Sequence, residues 1–584
     1  AGIQRDLPLD YPDNYQFQFQ LRGDSPHNDL QFKLVDASGD NVWWVNRPRY
    51  DFPQDWTTVT YKRRHIDKAW GPSPDRELRK SARIEYTIYN AVGGKGSVCF
   101  DDLTLQTLPA QDTSPLRATV LATGTMPDSQ AASAVDGRED TAWGAQLHGL
   151  QAASLTLDLG SVREWGGLVL DWRADRHAAR YRIETSSDGK TWNPRAQIED
   201  GNGGRDYIAL PETEARYLRL WPEDGPWTSA WLSEARVQAL SFAATSNDLL
   251  KAVAADAPKG RFPRGFVGEQ SYWTILGIDG GSQQGLIGED GAVELHRGGP
   301  SIAPFVHVRD ASLKPRQGQW ISWADARASQ SLQDRYLPIP SVHWQHAQVE
   351  LTTTAFAQGE PGHAQLVARY RLSNPTRKTL RYTLALALQP WQVNPPSQFL
   401  NTPGGYSPLR DIALEPQRIL IDGKPRVYAS TGEQALASHF AQDLAVLRLD
   451  ELRPEAREAA RTAQDDAGLA SAAWAYTVEL KPGESREFSW WAPLEGDDML
   501  PADFDAAQAQ ARVAAHWHDK LDQVQLRVPA QGQALVDTLR TSLAHMLISR
   551  IGPRLQPGTR SYSRSWIRDG AMISEGLLRL GRDE

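Results

Sequence analysis

Apolar and polar residues alternate in steps of two over the first hundred positions. "YQFQFQLRG" (15–23), "LQFKLVDASG" (30–39) and "SVCFDDLTLQTL" (97–108) each place every second side chain on one face. That is the period of a half-buried strand. "DASGDN" (36–41) and "AVGGKGS" (91–97) supply the Gly and Asp expected of hairpin connections. Residues 1–108 therefore predict a β-sandwich. After the Pro/Ser/Thr linker "PAQDTSPLR" (109–117), the alternation resumes at Leu155, Leu157 and Leu159 and continues to 241. "ATSNDLLKAVAADAPKG" (244–260) predicts a linker with one or two helical turns. From 261 to 495 long alternating runs return, in "HAQVELTTTAFA" (346–357), "HAQLVARYRLSN" (363–374) and "TLRYTLALALQP" (379–390). They predict a large sandwich, interrupted by a charged helical insert at 451–464.

The period then changes to that of a helix. Val513, Trp517 and Leu521 recur at i, i+4 and i+8. Val536, Leu539, Leu543, Met546 and Leu547 share one face of a second helix, over 532–550. Ile573, Leu577 and Leu580 mark a third. The expected fold class is mainly β: two small sandwiches, a large one, then helices over 503–584.

Composition narrows the function. The chain has 584 residues and a net charge of −9. Phosphate binding needs a clustered basic face. The nearest basic run, "YKRRH" (61–65), is short and reads as a solvated strand edge, so nucleic acid is not an expected partner. No stretch reaches 18 apolar residues, so no membrane span is expected. Cys99 is the single cysteine and is expected to be a buried small hydrophobe. Twenty-one Trp is a surplus. Most are expected in cores, but flat rings also stack on the C–H face of a pyranose. The sequence opens on "AGIQRDLPLDYPDNY", with no initiator Met and no signal peptide. The expectation is a cut N-terminus, from which the compartment is not read; a periplasmic or secreted parent protein is slightly favoured.

"GSVCFDDLTL" (96–105) resembles the last strand of jelly-roll carbohydrate-binding modules. "ASAVDGREDTAW" (132–143), "SLTLDLGSV" (154–162), "YRIETSSDGKTWN" (181–193), "ARYLRLW" (215–221) and "LSEARVQAL" (232–240) fall in the order of a discoidin, or coagulation-factor C-type, domain. The resemblance implies a galactose-binding-like sandwich over 116–241. Such domains hold ligands on loops at one end, in some members beside a structural calcium. No other cofactor is implied.

A large sandwich, a linker helix and then paired helices resemble the six-hairpin (α/α) barrel glycoside hydrolases of glucoamylase type. "SWIRDGA" (565–571) fits their aromatic-x-Arg-Asp motif. The resemblance implies that Arg568 and Asp569 hold hydroxyls of the sugar at the bond-cleaving subsite. An Arg fork and a carboxylate can together grip a diol. Trp566 would pack beneath the sugar or support the pair. The competing local reading makes Asp569 a helix N-cap, Arg568 its surface partner and Trp566 a core residue. Inverting hydrolysis needs an acid and a base, both carboxyl groups. In the resembling families both follow later hairpins, which here would lie beyond Glu584, so no catalytic residue is assigned. "HWH" (516–518) places two histidines on different helix faces and is no metal pair. The expected function is the front of a carbohydrate-active enzyme, an inverting and α-glucosidic hydrolase. Glycan-binding modules are appended, and the partner is an oligo- or polysaccharide. The alternatives are an inverting disaccharide phosphorylase and a non-catalytic glycan-binding protein.

Overall fold

The computed structural model describes residues 1–89, 93–148, 152–199, 201, 203–310, 312, 318–429, 434–438, 461–497, 500–501 and 504–582. The chain is mainly β, with few helices, and those lie chiefly toward the C-terminal end. It forms two compact units, Ala1–Pro115 and Leu116–Glu584.

The first unit holds eight strands: β1 (Gly2–Asp10), β2 (Tyr15–Asp24), β3 (Asp29–Val35), β4 (Val42–Arg47), β5 (Thr57–Lys62), β6 (Asp67–Trp70), β7 (Lys80–Tyr89) and β8 (Ser97–Thr107). A five-stranded sheet, β1-β7-β3-β4-β6, and a three-stranded sheet, β5-β2-β8, share one core. Tyr15, Phe17, Phe19 and Leu21 are all buried, as their spacing predicts. At the 36–41 hairpin Asp36 accepts from Ser38 Oγ (2.7 Å), and Gly39 turns at φ +81°. The 91–97 connection lies partly outside the described residues. Cys99 is exposed, against expectation. Val98 and Phe100 take the core side of β8, so period two turns Cys99 outward. A cleft of about 490 Å³ opens beside β1 and β8, lined by Leu7, Leu9, Phe17, Phe100 and Leu105.

The second unit begins with β9 (Thr119–Thr123), β10 (Trp143–Gln146), β11 (Ser154–Trp172), β12 (Arg180–Ser186), β13 (Asn193–Ile198), β14 (Arg205–Asp224) and β15 (Ser229–Gln238). β11 and β14 are long enough to serve both layers. The first half of β11 pairs with β9 and the end of β14; its second half pairs with β15 and the start of β14. Both strands turn the corner at register shifts. Leu155, Leu157 and Leu159 are buried, with Trp143 and Trp165. These registers put the chain's entry at Thr119 and exit at Gln238 at one end. Residues 147–148, 173–179, 203–204 and 225–228 gather at the other, Leu147 N bonding Thr228 O, Trp172 N bonding Gly204 O and Ala179 N bonding Asp224 O.

The segment expected as a linker is an eleven-residue helix, α1 (Ser246–Asp256). Thr245 caps it, its Oγ1 accepting from Asp248 N at 3.2 Å. Leu249, Leu250, Val253 and Ala254 pack between the small sandwich and the large one. The large sandwich stacks an eight-stranded on a nine-stranded sheet. Its central strands, such as Leu380–Gln389, are buried on both faces and read as apolar runs. Residues 451–460 of the expected helical insert lie outside the described residues. Thr462–Gln464 is a strand paired with 411–413, not helix. Helices α2 (Ala506–Leu521) and α3 (Gln533–Ser549) cover the nine-stranded sheet, Val513, Trp517 and Leu547 meeting Phe356, Val367 and Trp491. Leu539, expected on the buried face, is 37% exposed. Helix α4 (Ile567–Arg579) has no buried residue; Leu577 and Leu580 only rest on the core.

Candidate functional site

The loop end of the β9–β15 sandwich is tied by main-chain bonds between distant segments. Arg173 N donates to Trp231 O (2.9 Å), Trp231 N to Arg176 O (2.7 Å), Ala179 N to Asp224 O (2.8 Å) and Leu147 N to Thr228 O (3.0 Å). Loop backbones so held keep their side chains in place. Trp227 stands 49% exposed on this end. The Arg173 guanidinium lies 5.4 Å from the Trp231 ring centroid. Arg173, Arg176 and His148 are exposed, and His148 Nε2 reaches Asp224 Oδ1 at 4.0 Å. A flat ring, two guanidinium forks, an imidazole and a carboxylate therefore share one rim. Together they offer a stacking face plus donors and an acceptor for hydroxyls.

An acid lies under that rim. Asp206 is buried, and its Oδ2 accepts from the Tyr181 hydroxyl at 2.6 Å. Burial pushes its carboxyl up to about 6, against the pull of that hydrogen bond. The folded protein thus holds the proton more tightly than the unfolded chain, whose Asp titrates near 3.9. The contribution is fully present below about pH 4 and is lost as pH rises through about 6. The expected result is a loss of roughly 2–3 kcal/mol from this group between pH 4 and pH 7. Urea midpoints across that range should show a shallower loss in Asp206→Asn; a parallel profile would remove Asp206 as the cause.

The discoidin resemblance also implies a structural calcium, and the acids of the 136–140 turn are engaged within that turn. Asp136 takes the Thr141 hydroxyl (2.8 Å) and Arg138 N (3.0 Å), and Asp140 pairs with Arg138 at 2.8 Å. Among the described residues no group of three or more His, Cys, Asp or Glu is arranged to hold a metal. His518 of the "HWH" stretch instead links Asp522 and Asp334, each at 3.0 Å, tying α2 to a loop of the large sandwich.

The structure brings Trp566, Arg568 and Asp569 together at the start of α4. Trp566 occupies the N-cap position and makes no capping bond, and Asp569 stands in the first turn, so Asp569 is not the cap. Arg568, 85% exposed, reaches Asp569 Oδ2 at 3.3 Å. Trp566 is 38% exposed rather than core, with the Arg564 guanidinium 3.9 Å from its ring centroid. Arg568 faces solvent, Asp569 is partly covered, and the Arg564 guanidinium lies over the Trp566 ring.

A buried ion pair anchors the loop that leads to them. Arg560 Nη2 meets Glu294 Oε1 at 2.8 Å, with 4% and 0% exposure. The same carboxylate accepts from Asn394 N (3.0 Å) and Gly298 N (3.2 Å). Gln398 Nε2 bonds Ser561 Oγ at 2.5 Å, and Thr402 N bonds Arg560 O at 3.2 Å. The loops 261–280 and 389–405 are thereby joined to 556–566, since Gly265 also packs on Pro395 and Pro396.

Sequence reasoning missed the Trp227 rim. Its one local signal was "GPWTSAW" (225–231), two Trp beside Gly and Pro just after a strand. It missed the Glu294–Arg560 pair as well, which no local pattern marks.

The family model of the F5/8 type C domain matches residues 117–235. No curated protein matches the chain. Among solved structures, chitosan-binding module 2 of a chitosanase/glucanase from Paenibacillus sp. IK-5, in complex with chitotriose, is 23% identical. It covers 21% of this chain and 98% of that one, with a TM-score of 0.20. Module 1 of the same enzyme is 26% identical over 21% and 96%, TM-score 0.20. The family 32 carbohydrate-binding module of Clostridium perfringens NanJ, in complex with galactose, is 23% identical over 20% and 92%, TM-score 0.19.

Proposed function

We propose that this chain belongs to a carbohydrate-active protein and binds glycan at the loop end of its β9–β15 sandwich. One observation carries the reading: the half-exposed Trp227 lies on the 225–228 turn, whose Thr228 O takes Leu147 N next to His148, and that turn follows Asp224, which His148 reaches at 4.0 Å. The ring would take the apolar face of a pyranose while the polar groups bond its hydroxyls. Trp227→Ala is expected to weaken glycan binding at least tenfold, about 1.4 kcal/mol. Isothermal titration with a panel of oligosaccharides measures this. Unchanged affinity for every bound sugar would sink the loop-end reading.

The reading extends to the C-terminal helices as the sugar subsite of a glycoside hydrolase of inverting type. Arg568 and Asp569 would grip adjacent hydroxyls, with Trp566 beside them. The exposure of Arg568 and the loose 3.3 Å contact support this, because an arginine that braced the fold would be packed. Arg568→Ala should therefore change stability by less than about 0.5 kcal/mol. In the whole protein it should cut turnover far more than that. Equal losses in stability and turnover would make the pair structural.

A further inference from the structure

At one edge of the nine-stranded sheet, strands Arg327–Leu332 and Pro340–His346 pair as a hairpin, Leu332 opposite Pro340. Its loop, 333–339, is strained. Asp334 at φ +51° and Arg335 at φ +71° are consecutive non-glycine residues in the left-handed region. Asp tolerates that region, whereas Arg is ordinarily kept out of it. Such backbone persists only where its surroundings hold it.

Helices α2 and α3 do the holding. His518 of α2 stands between two carboxylates, its Nε2 at 3.0 Å from Asp334 Oδ2 and its Nδ1 at 3.0 Å from Asp522 Oδ2. The Tyr336 hydroxyl lies 2.9 Å from the same Nδ1 and 3.0 Å from Asp522 Oδ2. Arg540 of α3 pairs with Asp522 at 3.2 Å and lies over the Tyr336 ring. Arg335 pairs with Asp537 of α3 at 3.0 Å. From the sheet side, Arg369 donates to Gln510 of α2, which donates to Gln333. Among these groups the imidazole is the one that changes charge near neutral pH. The Tyr336 hydroxyl, pushed up to about 12 by burial and by Asp522, keeps its proton.

An imidazolium offers two N–H donors and a neutral ring one. Charged, His518 donates to both acids and ties the strained loop to the end of α2. Neutral, it keeps an N–H for Asp334, while Nδ1 becomes an acceptor for the Tyr336 hydroxyl and Asp522 is left to Arg540. A single uncharged hydrogen bond then replaces a charge-assisted bridge. We propose that residues 333–339 form a pH-sensitive latch: protonated His518 seats the strained loop on α2, and loss of that proton releases it. Tyr336, Leu337 and Ile339 belong to the core cluster of α2 and α3, so release loosens the seat of both helices. Burial pulls the imidazole down, but the hydrogen bonds and charges of Asp522 and Asp334 outweigh it, so its pKa lies above the ordinary value. The latched state thus binds the proton more tightly than the released one. The latch holds below about pH 6.5, the ordinary histidine value, and weakens as pH rises through the raised one.

Hydrogen–deuterium exchange of the 584-residue chain tests this, read by mass spectrometry with labelling times scaled to the intrinsic rate at each pH. The amides of Gln333, Tyr336 and Leu337 bond within the loop and report its opening. Their protection is expected to fall by at least about threefold between about pH 5.5 and about pH 8.5, while the central strand Leu380–Gln389 keeps its own. His518→Gln, neutral throughout, should show the low protection at every pH. Asp334→Asn keeps an acceptor and a residue that tolerates positive φ, and should flatten the profile; it stands in if His518→Gln does not fold. Three outcomes overturn the latch: loop protection in the unaltered chain that does not change with pH, a variant profile that matches the unaltered one, or an equal loss in Leu380–Gln389, which would make the change global.

Discussion

Arg560→Met should destabilise the Leu116–Glu584 unit by roughly 3–5 kcal/mol, the cost of leaving one charge of a buried pair uncompensated. The carboxylate of Glu294 has no exposure and would lose its only cationic contact among the described residues. It would keep its two backbone donors, Asn394 N and Gly298 N. Those donors decide the rescue. Glu294→Gln retains a carbonyl for one of them and removes the charge, so Arg560→Met with Glu294→Gln should recover most of the loss. A double-mutant cycle by urea unfolding, followed by Trp fluorescence, measures both effects. A single-variant loss below about 1 kcal/mol would show that water reaches Glu294 and that the pair is weakly coupled. The pair's value is positional as well. It joins the turn after strand Val293–Glu294 to the 394 and 560 loops, and the last of these carries the chain on to Trp566.

How much of this was legible depends on the range over which the physics acts. Strand alternation is local, and Tyr15, Phe17, Phe19 and Leu155, Leu157, Leu159 announce their buried faces. The discoidin-type order was legible by resemblance, from contiguous strings such as "ASAVDGREDTAW" and "YRIETSSDGKTWN". Helix α1 was underestimated: "KAVAAD" is built largely of small residues, and its burial comes from Val169, Tyr207, Phe262 and Trp391, remote in sequence. Cys99 misled because apolar neighbours on both sides say nothing about which of two faces a residue takes. At the sites the contrast is sharper. "SWIRDG" is one contiguous string and could be quoted from the sequence. The Trp227 rim draws on residues 147–148, 173–179 and 225–228, and Glu294 meets Arg560 across 266 positions. No window short enough to read contains either arrangement.

Leu250→Ala should cost about 2–5 kcal/mol, the range for emptying a fully buried Leu site. It should also change the shape of unfolding. Leu250 is fully buried in a cluster that includes Val169 and Tyr207 of the small sandwich and Phe262, Phe266 and Trp391 of the large one. Polar straps on α1 run the same way. Asn247 Nδ2 donates to Gly404 O (3.0 Å), while Asp256 Oδ2 accepts from the Tyr207 hydroxyl (2.5 Å) and Arg205 Nη1 (3.0 Å). The helix is thus the shared wall through which the two sandwiches stabilise one another. A cavity at its centre weakens that shared contact more than either separate core, so the two sandwiches should cease to melt together. Differential scanning calorimetry of the Leu250→Ala chain should resolve an earlier transition for the small sandwich, absent from the unaltered protein. If the variant melts with the same number of transitions at unchanged spacing, α1 is a passive connector, and each sandwich stands on its own core.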